Sequence, residues 1–243
     1  MKKIYLLPNF LTLCNLLCGY WAITFAFRTN FTGACVMIYF AMLFDMFDGK
    51  IARMTHTTSK FGFEFDSIAD VVSFGVAPAS IIYNIFLSNS GIEKIVWWGC
   101  FIYVVCGALR LARYNVQASN EEKEDFVGLP IPCAAGMMVS YILFKVKYNS
   151  VIAPHMIIWL LIPIALLMVS SVRYSSLGLN FHKRKPFEYF VAAVVCLGLL
   201  VMFPHQILLL LFSGYIIIGL FLHIIGIVFK KGPSYDQEKN IQV

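Results

Sequence analysis

The stretch that decides the fold is "FDMFDGKIARMTHTTSKFGFEFDSIADVVSFGVAP", residues 44–78. It begins at the end of an apolar run and places two carboxylates, a lysine and an arginine between residues 45 and 53. Ionised side chains in an otherwise membrane-buried helix are costly unless they pair with each other or hold a cation. The stretch therefore raises the question of what its acids bind.

The polar segment "THTTSK" (55–60) predicts a short turn centred near residue 57, between a helix that ends near Met54 and one that restarts by Gly62. In an antiparallel hairpin, residues equally far from the turn lie at the same depth. Four acids pair by this rule, Asp48 with Asp66 and Asp45 with Asp70. The pairs form two layers about one helical turn apart.

Each predicted helix carries its acids among residues with small side chains. These neighbours are Gly49 and Ala52 on the first helix, and Gly62, Ala69, Ser73 and Ala77 on the second. Small residues let a backbone or a bulky ligand approach closely. Arg53 could neutralise one aspartate but not four, and carboxylates so close together would otherwise have to protonate.

The carboxylate cluster therefore predicts two divalent cations, Mg²⁺ or Mn²⁺, with Ca²⁺ also possible, because hard cations take oxygen ligands. Paired metals in a carboxylate cage commonly serve phosphoryl transfer. The acids lie in the cytoplasmic part of the predicted helices, at the level of phospholipid phosphates. The pattern thus favours an enzyme that acts on a lipid pyrophosphate.

The composition places the hairpin in an all-α integral membrane protein. The 243 residues are 60% hydrophobic and 13% charged, with a mean hydropathy of +0.77. Apolar runs of about 18 or more residues are transmembrane candidates. Eight spans are predicted after a short N-terminal interfacial segment, at 10–27, 32–52, 64–88, 93–115, 130–148, 151–172, 187–204 and 206–229.

The lysines and arginines predict the orientation. With eight spans, 15 of the 19 basic residues share one side of the membrane with both termini, and that side is cytoplasmic by the positive-inside rule. The other side holds Arg28, Lys94, Lys145 and Lys147. The net charge of +6 is therefore a topology signal and a match to anionic headgroups, and it does not indicate a nucleic-acid partner.

The hairpin resembles the signature of the CDP-alcohol phosphatidyltransferases. The matching pattern is Asp45-x-x-Asp48-Gly49-x-x-Ala52-Arg53, then eight residues, then Gly62-x-x-x-Asp66-x-x-x-Asp70. The resemblance implies a single domain over 1–243, a homodimer, and transfer of a phosphatidyl group from a CDP-linked lipid with release of CMP. It also implies that the four aspartates ligate two metals and that Asp70 is the base for the acceptor hydroxyl.

The same resemblance implies a binding site for the CDP-lipid. Its members would be Asn9, Thr12, Gly49, Ala52, Arg53, Lys60 and Gly62. The physical reasons differ along this set. An arginine can make bidentate bonds to phosphate, and the positions without large side chains leave room for the nucleotide.

Four further motifs resemble those of the membrane-embedded phosphatidylserine synthases within this family. They are "PNFLTLCNLLCG" (8–19), "DSIADVVSFGVAP" (66–78), "RLARYN" (110–115) and "GLPIPCAAG" (128–136). They imply CDP-diacylglycerol, or an ether-lipid analogue, as donor and L-serine as acceptor. Arg110 and Arg113 share a helix face and, with Asn115, are predicted to bind the serine carboxylate. Both arginines also fit simple positive-inside flanking, and the prolines of 128–136 fit either a pocket floor or a helix start.

Three other functions remain open on the sequence. A transferase of the same family could use glycerol phosphate or an inositol compound as acceptor. A cation transporter would be expected to spread its acids over several helices at the midplane. A membrane prenyltransferase would carry aspartate-rich motifs in two distant loops, whereas this chain has no aspartate between Asp125 and Asp236.

Overall fold

The computed structural model describes residues 6–54, 59–87, 91–119, 128–148, 154–172, 174 and 204–229. Within these ranges the regular structure is entirely helical, which confirms the predicted all-α class. In chain order the elements are α1 (Leu6–Phe27), α2 (Phe31–Met54), α3 (Lys60–Asp70), a π-helical segment (Val71–Val76), α4 (Ala77–Phe86), α5 (Glu93–Ser119), α6 (Ile131–Lys147), α7 (Pro154–Val169) and α8 (Pro204–Phe229).

Five helical stretches in the described residues are long and apolar enough to cross a membrane. They are Leu7–Phe27, Phe31–Ala52, Lys60–Phe86, Glu93–Gln117 and His205–Ile225. The predicted fifth and sixth spans correspond to α6 and α7, which have only 17 and 16 residues. The predicted seventh span, 187–204, lies almost wholly outside the described residues. Eight spans and the side of each terminus therefore stay predictions.

The start of α1 differs from the predicted start of the first span. The sequence predicts an interfacial segment before residue 10, but residues 6–9 continue without a break into the helix that reaches Phe27. Pro8 is compatible with this geometry because it lies in the first turn, where a helix has no use for the backbone N–H that proline lacks. The preceding residues 1–5 are outside the described part.

Small side chains line the contact between α1 and α2. Ala22 and Ala26 of α1 and Ala34 and Ala41 of α2 are completely buried, so these two helices pack closely. Large apolar side chains lie both in the core and on the outside of the bundle, where Trp159 is 77% exposed. Tight packing of small residues inside an apolar exterior is how helices associate in a bilayer, where lipid removes the hydrophobic drive for burying large side chains.

The signature hairpin folds as the sequence predicts. Helix α2 ends at Met54, and α3 begins at Lys60 with the Ser59 hydroxyl accepting the Gly62 amide at 2.9 Å as an N-cap. The sequence did not predict that the second helix would widen after Asp70 into a π-helical segment, where the Ala77 amide donates to the Val72 carbonyl. Such segments are rare and often mark functional sites.

The motif at 128–136 joins α6 to the end of α7. The Gly128 amide donates to the Val172 carbonyl at 2.8 Å and the Leu129 amide to the Leu167 carbonyl at 3.1 Å. Gly128 has φ +89°, and a Cβ there would lie 2.2 Å from the Met168 carbonyl oxygen. The motif therefore starts a helix and also satisfies carbonyls that the end of α7 leaves without helical partners.

Gly128→Ala is expected to destabilise the protein by at least about 2 kcal/mol, since the new methyl group meets a backbone atom and requires a φ that L-residues avoid. The measurement is the unfolding temperature in detergent. The matched control is Gly75→Ala, at a buried glycine whose Cβ would meet nothing closer than 3.9 Å. Equal unfolding temperatures for the two variants would contradict the conclusion that position 128 requires glycine.

Candidate active site

Three carboxylates from two helices converge at the cytoplasmic end predicted for the hairpin. Oxygen atoms of Asp45, Asp48 and Asp66 all lie within 4.8 Å of one another. Asp48 is 4% exposed, and the other two are half-buried. The depth argument placed Asp45 in a different layer from Asp48 and Asp66, but the structure brings all three carboxylates together. The aspartate side chain is long enough to span part of the helical turn that separates the two layers.

A hydrogen bond from a residue of α1 holds the Asp48 side chain in place. The Thr12 hydroxyl, itself 3% exposed, donates to Asp48 Oδ2 at 2.8 Å. Thr12 was predicted in the CDP-lipid site, and the structure places it directly behind one of the acids. An hydroxyl that donates to a carboxylate makes a charge-assisted bond, which holds the second oxygen in a fixed direction.

Asp70 lies one turn further along the second helix and is 7% exposed. Its Oδ1 accepts a hydrogen bond from Asn15 Nδ2 at 3.2 Å, and Asp45 and Asp66 are among its electrostatic neighbours. The Asn15 carbonyl in turn accepts from the Ser73 hydroxyl at 3.0 Å. Asn15 was not predicted as a site residue. The signal for it was a buried amide inside an otherwise apolar helix, which has to find polar partners.

Close backbone contact makes the Asn15–Asp70 bond possible. Gly19 lies one turn after Asn15, and a Cβ there would come 2.3 Å from Ser73 Oγ and 2.8 Å from Ser73 Cα. Any larger residue would push α1 away from the π-helical segment. The glycine therefore sets the distance between the asparagine and the acid.

The donor set of the cluster fits hard cations. Asp66 Oδ1 is a buried carboxylate oxygen with no hydrogen-bond partner among the described residues. Leaving such an oxygen unpaired is costly, and a second and third carboxylate within 4.8 Å add to the cost. Cation binding removes both penalties, and an all-carboxylate site suits Mg²⁺, Mn²⁺ or Ca²⁺.

Open space lies beside the acids on α2. A Cβ on Gly49 would meet nothing within 4 Å, and Ala52 is only partly buried. Gly62 differs, since a Cβ there would lie 3.0 Å from Asn9 Oδ1 and 3.1 Å from Ser59 Oγ. The predicted CDP-lipid residues Asn9 and Gly62 thus lie against each other. Lys60 is exposed at the start of α3, and the Arg53 side chain is outside the described part.

The three residues predicted to bind serine occupy different places. Arg110 is 8% exposed, its charge interacts with that of Asp70, and its Nε has no hydrogen-bond partner in the described residues. Arg113 extends instead to the end of α7, where its guanidinium donates to the Val169 carbonyl at 2.9 Å and reaches the Met168 and Ser170 carbonyls at 3.4 Å.

Asn115 joins α5 to α3. Its Nδ2 donates to Ser67 Oγ at 3.0 Å and to Glu64 Oε2 at 3.2 Å. Ser67 follows Asp66 directly, so the bond ties the helix of the arginines to the helix of the acids. Of the three predicted serine-binding side chains, Arg110 is the one whose charge interacts with that of Asp70.

Comparison of the sequence with known protein families identifies the family of this chain. The sequence model of the CDP-alcohol phosphatidyltransferases matches residues 5–172, which include every acid of the cluster. The chain belongs to the CDP-alcohol phosphatidyltransferase family. The resemblance found in the hairpin is confirmed.

Curated relatives within this family cover nearly the whole chain. A CDP-diacylglycerol–serine O-phosphatidyltransferase of Helicobacter pylori is 35% identical over 240 residues, covering 96% of this chain and 99% of the relative. One of Methanocaldococcus jannaschii is 37% identical over 228 residues, covering 93% and 98%. An archaetidylserine synthase of Methanothermobacter thermautotrophicus is 38% identical over 170 residues, or 69% of each chain.

Proposed function

We propose that this protein transfers the phosphatidyl group of CDP-diacylglycerol to the hydroxyl of L-serine, giving phosphatidylserine and CMP. Full-length similarity to relatives named as serine O-phosphatidyltransferases supports the reaction. The observation in the structure that carries it is Arg110, which is buried and interacts electrostatically with Asp70. An arginine is a natural partner of a carboxylate, which serine has and inositol lacks.

Asp45, Asp48, Asp66 and Asp70 would hold two divalent cations, Mg²⁺ or Mn²⁺ with Ca²⁺ possible. The three clustered oxygens, the unpaired Asp66 Oδ1 and the neighbouring Asp70 support this ligand set. When bound, such ions neutralise charge on the oxygens of the attacked phosphate and of the leaving group. The residues themselves supply orientation, because Thr12 and Asn15 fix one oxygen of Asp48 and one of Asp70.

In the proposed reaction, Asp70 takes the proton of the serine hydroxyl on a carboxylate oxygen. The serine oxygen then forms a bond to the phosphorus that carries diacylglycerol, and the bond from that phosphorus to the CMP oxygen breaks with its electron pair going to CMP. Arg110 holds the serine carboxylate so that the hydroxyl faces Asp70.

The cytidine diphosphate would lie against α2, in the space that Gly49 and Ala52 leave, with Arg53 and Lys60 at its phosphates. Gly49→Leu is expected to raise the CDP-diacylglycerol concentration needed for half-maximal rate at least tenfold, because the side chain fills that space. The measurement is CMP release against CDP-diacylglycerol concentration.

Gly214→Leu is the matched control for this prediction. Gly214 lies on α8, and a Cβ there also meets nothing within 4 Å. Its substitution should leave the donor dependence unchanged. Unchanged donor dependence in Gly49→Leu as well would remove the α2 face as the nucleotide-binding wall.

The deciding experiment uses purified protein with CDP-diacylglycerol and Mg²⁺ or Mn²⁺. CMP release is measured with L-serine, glycerol 3-phosphate, inositol and inositol phosphate in parallel. Release that depends on serine alone supports the proposal, and release with another acceptor would overturn it. A second arm uses an ether-linked CDP-lipid, since one relative is named an archaetidylserine synthase.

The proposed setting is the cytoplasmic membrane, with eight spans, both termini and the active site on the cytoplasmic side, and two copies of the chain per assembly. Apolar helices and family membership support a multi-pass membrane protein. Accessibility of single introduced cysteines to an impermeant reagent in sealed vesicles tests the orientation. Light scattering of the detergent-solubilised protein tests the dimer.

A further inference from the structure

Asn15 carries a polar atom whose purpose the bond to Asp70 does not explain. The side chain is completely buried in α1. A carboxylate can only accept hydrogen bonds, so the Asn15 amide must direct its NH₂ group to Asp70, as the 3.2 Å contact shows. The carbonyl oxygen Oδ1 is then left over, and it has no hydrogen-bond partner among the described residues.

A burial of this kind is costly. An unpaired acceptor loses its water without gaining a bond in return, and native proteins keep few such groups. Leucine or alanine would fill the same position in an apolar helix without the penalty. The amide orients Asp70 through its nitrogen, but the cost of the unpaired oxygen calls for a donor that arrives with a ligand.

A second unpaired buried atom lies near the same acid. Arg110 Nε is a donor without a partner in the described part of the chain, and the arginine interacts electrostatically with Asp70. The two residues that interact with Asp70 therefore carry complementary unpaired atoms: Asn15 has an unpaired acceptor, and Arg110 has an unpaired donor. An α-amino acid has the complementary groups, an ammonium donor and a carboxylate acceptor on one carbon.

We infer that Asn15 Oδ1 accepts a hydrogen bond from the ammonium group of the acceptor, and that Asn15 is thereby a specificity-determining residue for an amino acid. This inference rests on the proposed function and names the group that recognises one end of its acceptor. Arg110 binds the carboxylate and Asp70 faces the hydroxyl, so each polar group of serine has one protein partner. Glycerol phosphate and inositol offer no ammonium and leave Oδ1 unpaired.

The test compares serine with two analogues that each lack one charged group. 3-Hydroxypropionate lacks the ammonium, and serinol lacks the carboxylate. In the wild type, kcat/KM for serine should exceed that for 3-hydroxypropionate roughly ten- to hundredfold, the value of one hydrogen bond to a charged group. Equal values for the two acceptors would overturn the inference without any variant.

Asn15→Ala then separates recognition from orientation of Asp70. If Asn15 only orients Asp70, the variant slows all three acceptors by the same factor. If Oδ1 binds the ammonium, the preference for serine over 3-hydroxypropionate falls at least tenfold while the preference for serine over serinol stays within about threefold. Arg110→Ala should show the reverse pattern. A uniform loss in Asn15→Ala would overturn the inference.

A binding measurement covers the case of a variant that has lost all turnover. Serine should raise the unfolding temperature of the wild type in the presence of CMP and Mg²⁺, and Asn15→Ala should lose most of this rise while the rise due to CMP persists. Asn84→Ala is the matched control, since Asn84 is an α4 asparagine whose Nδ2 bonds the Ser80 carbonyl. A full serine effect in Asn15→Ala would count against the inference. Failure of serine-dependent CMP release in the wild type would instead reject the proposed function itself.

Discussion

Asp66→Asn is expected to lower the rate of CMP release by at least about a thousandfold while the protein still folds, and Asp45→Asn and Asp70→Asn should do the same. The amide removes the negative charge that a divalent cation needs and places an NH₂ group where three oxygens lie within 4.8 Å. Loss of a ligand removes both charge neutralisation and substrate positioning, each worth several kcal/mol. The measurement is the initial rate of CMP release at saturating Mg²⁺ or Mn²⁺.

The control for this series is Glu64→Gln. Glu64 lies on α3, two residues before Asp66, and is exposed. Its Oε2 accepts from Asn115 Nδ2, and glutamine can keep that bond through its carbonyl oxygen. Glu64→Gln should retain the wild-type rate within about threefold. A wild-type rate in any of the three aspartate variants would mean that the acids are not a metal cage.

Arg110→Ala is expected to raise the serine concentration for half-maximal rate roughly ten- to hundredfold, with little change in the requirement for CDP-diacylglycerol. The charged bond to the serine carboxylate is worth about 1.5–3 kcal/mol. Lysine at this position should restore only part of the loss, because an ammonium cannot form the planar fork of a guanidinium. Serine methyl ester, which has no negative charge, should be a poor acceptor for the wild type and lose little further in the variant.

Arg113→Ala is the comparison that separates the two arginines. Because Arg113 donates to carbonyls at the end of α7, its loss should lower the unfolding temperature and leave the serine requirement nearly unchanged. The sequence predicts the same role for both arginines, binding of the serine carboxylate. Equal serine requirements in the wild type and Arg110→Ala would end the assignment of Arg110 to the acceptor.

The hairpin could be predicted from the sequence because its evidence is local. The spacing of Asp45, Asp48, Asp66 and Asp70 about a polar turn follows from helix geometry alone, and the structure clusters three of the four. The small residues beside the acids predicted room for a ligand, and Gly49 does leave open space.

Contacts between side chains on different helices could not be predicted from local sequence spacing. Which atom Arg113 reaches depends on where α7 ends, more than fifty residues later in the chain. Asn15 meets Asp70 only because Gly19 lets α1 approach the π-helical segment, and no periodicity marks that contact. Helix wheels also assume 100° per residue, so they could not show the widening after Asp70.

The π-helical segment also determines how this region can change in length. A π turn holds one residue more than an α turn, so Val71–Val76 offsets α4 from α3 by about one residue. A one-residue deletion inside a continuous α-helix would rotate everything downstream by roughly 100°. In Val71–Val76 the same deletion would instead remove the extra residue of the π turn and let the helix close as continuous α, with the outward and inward faces of α4 largely kept. The contact of Ser73 with the Asn15 carbonyl is the local feature at risk. This segment is thus where the second helix of the hairpin can lose a residue with the least change to the side chains that follow.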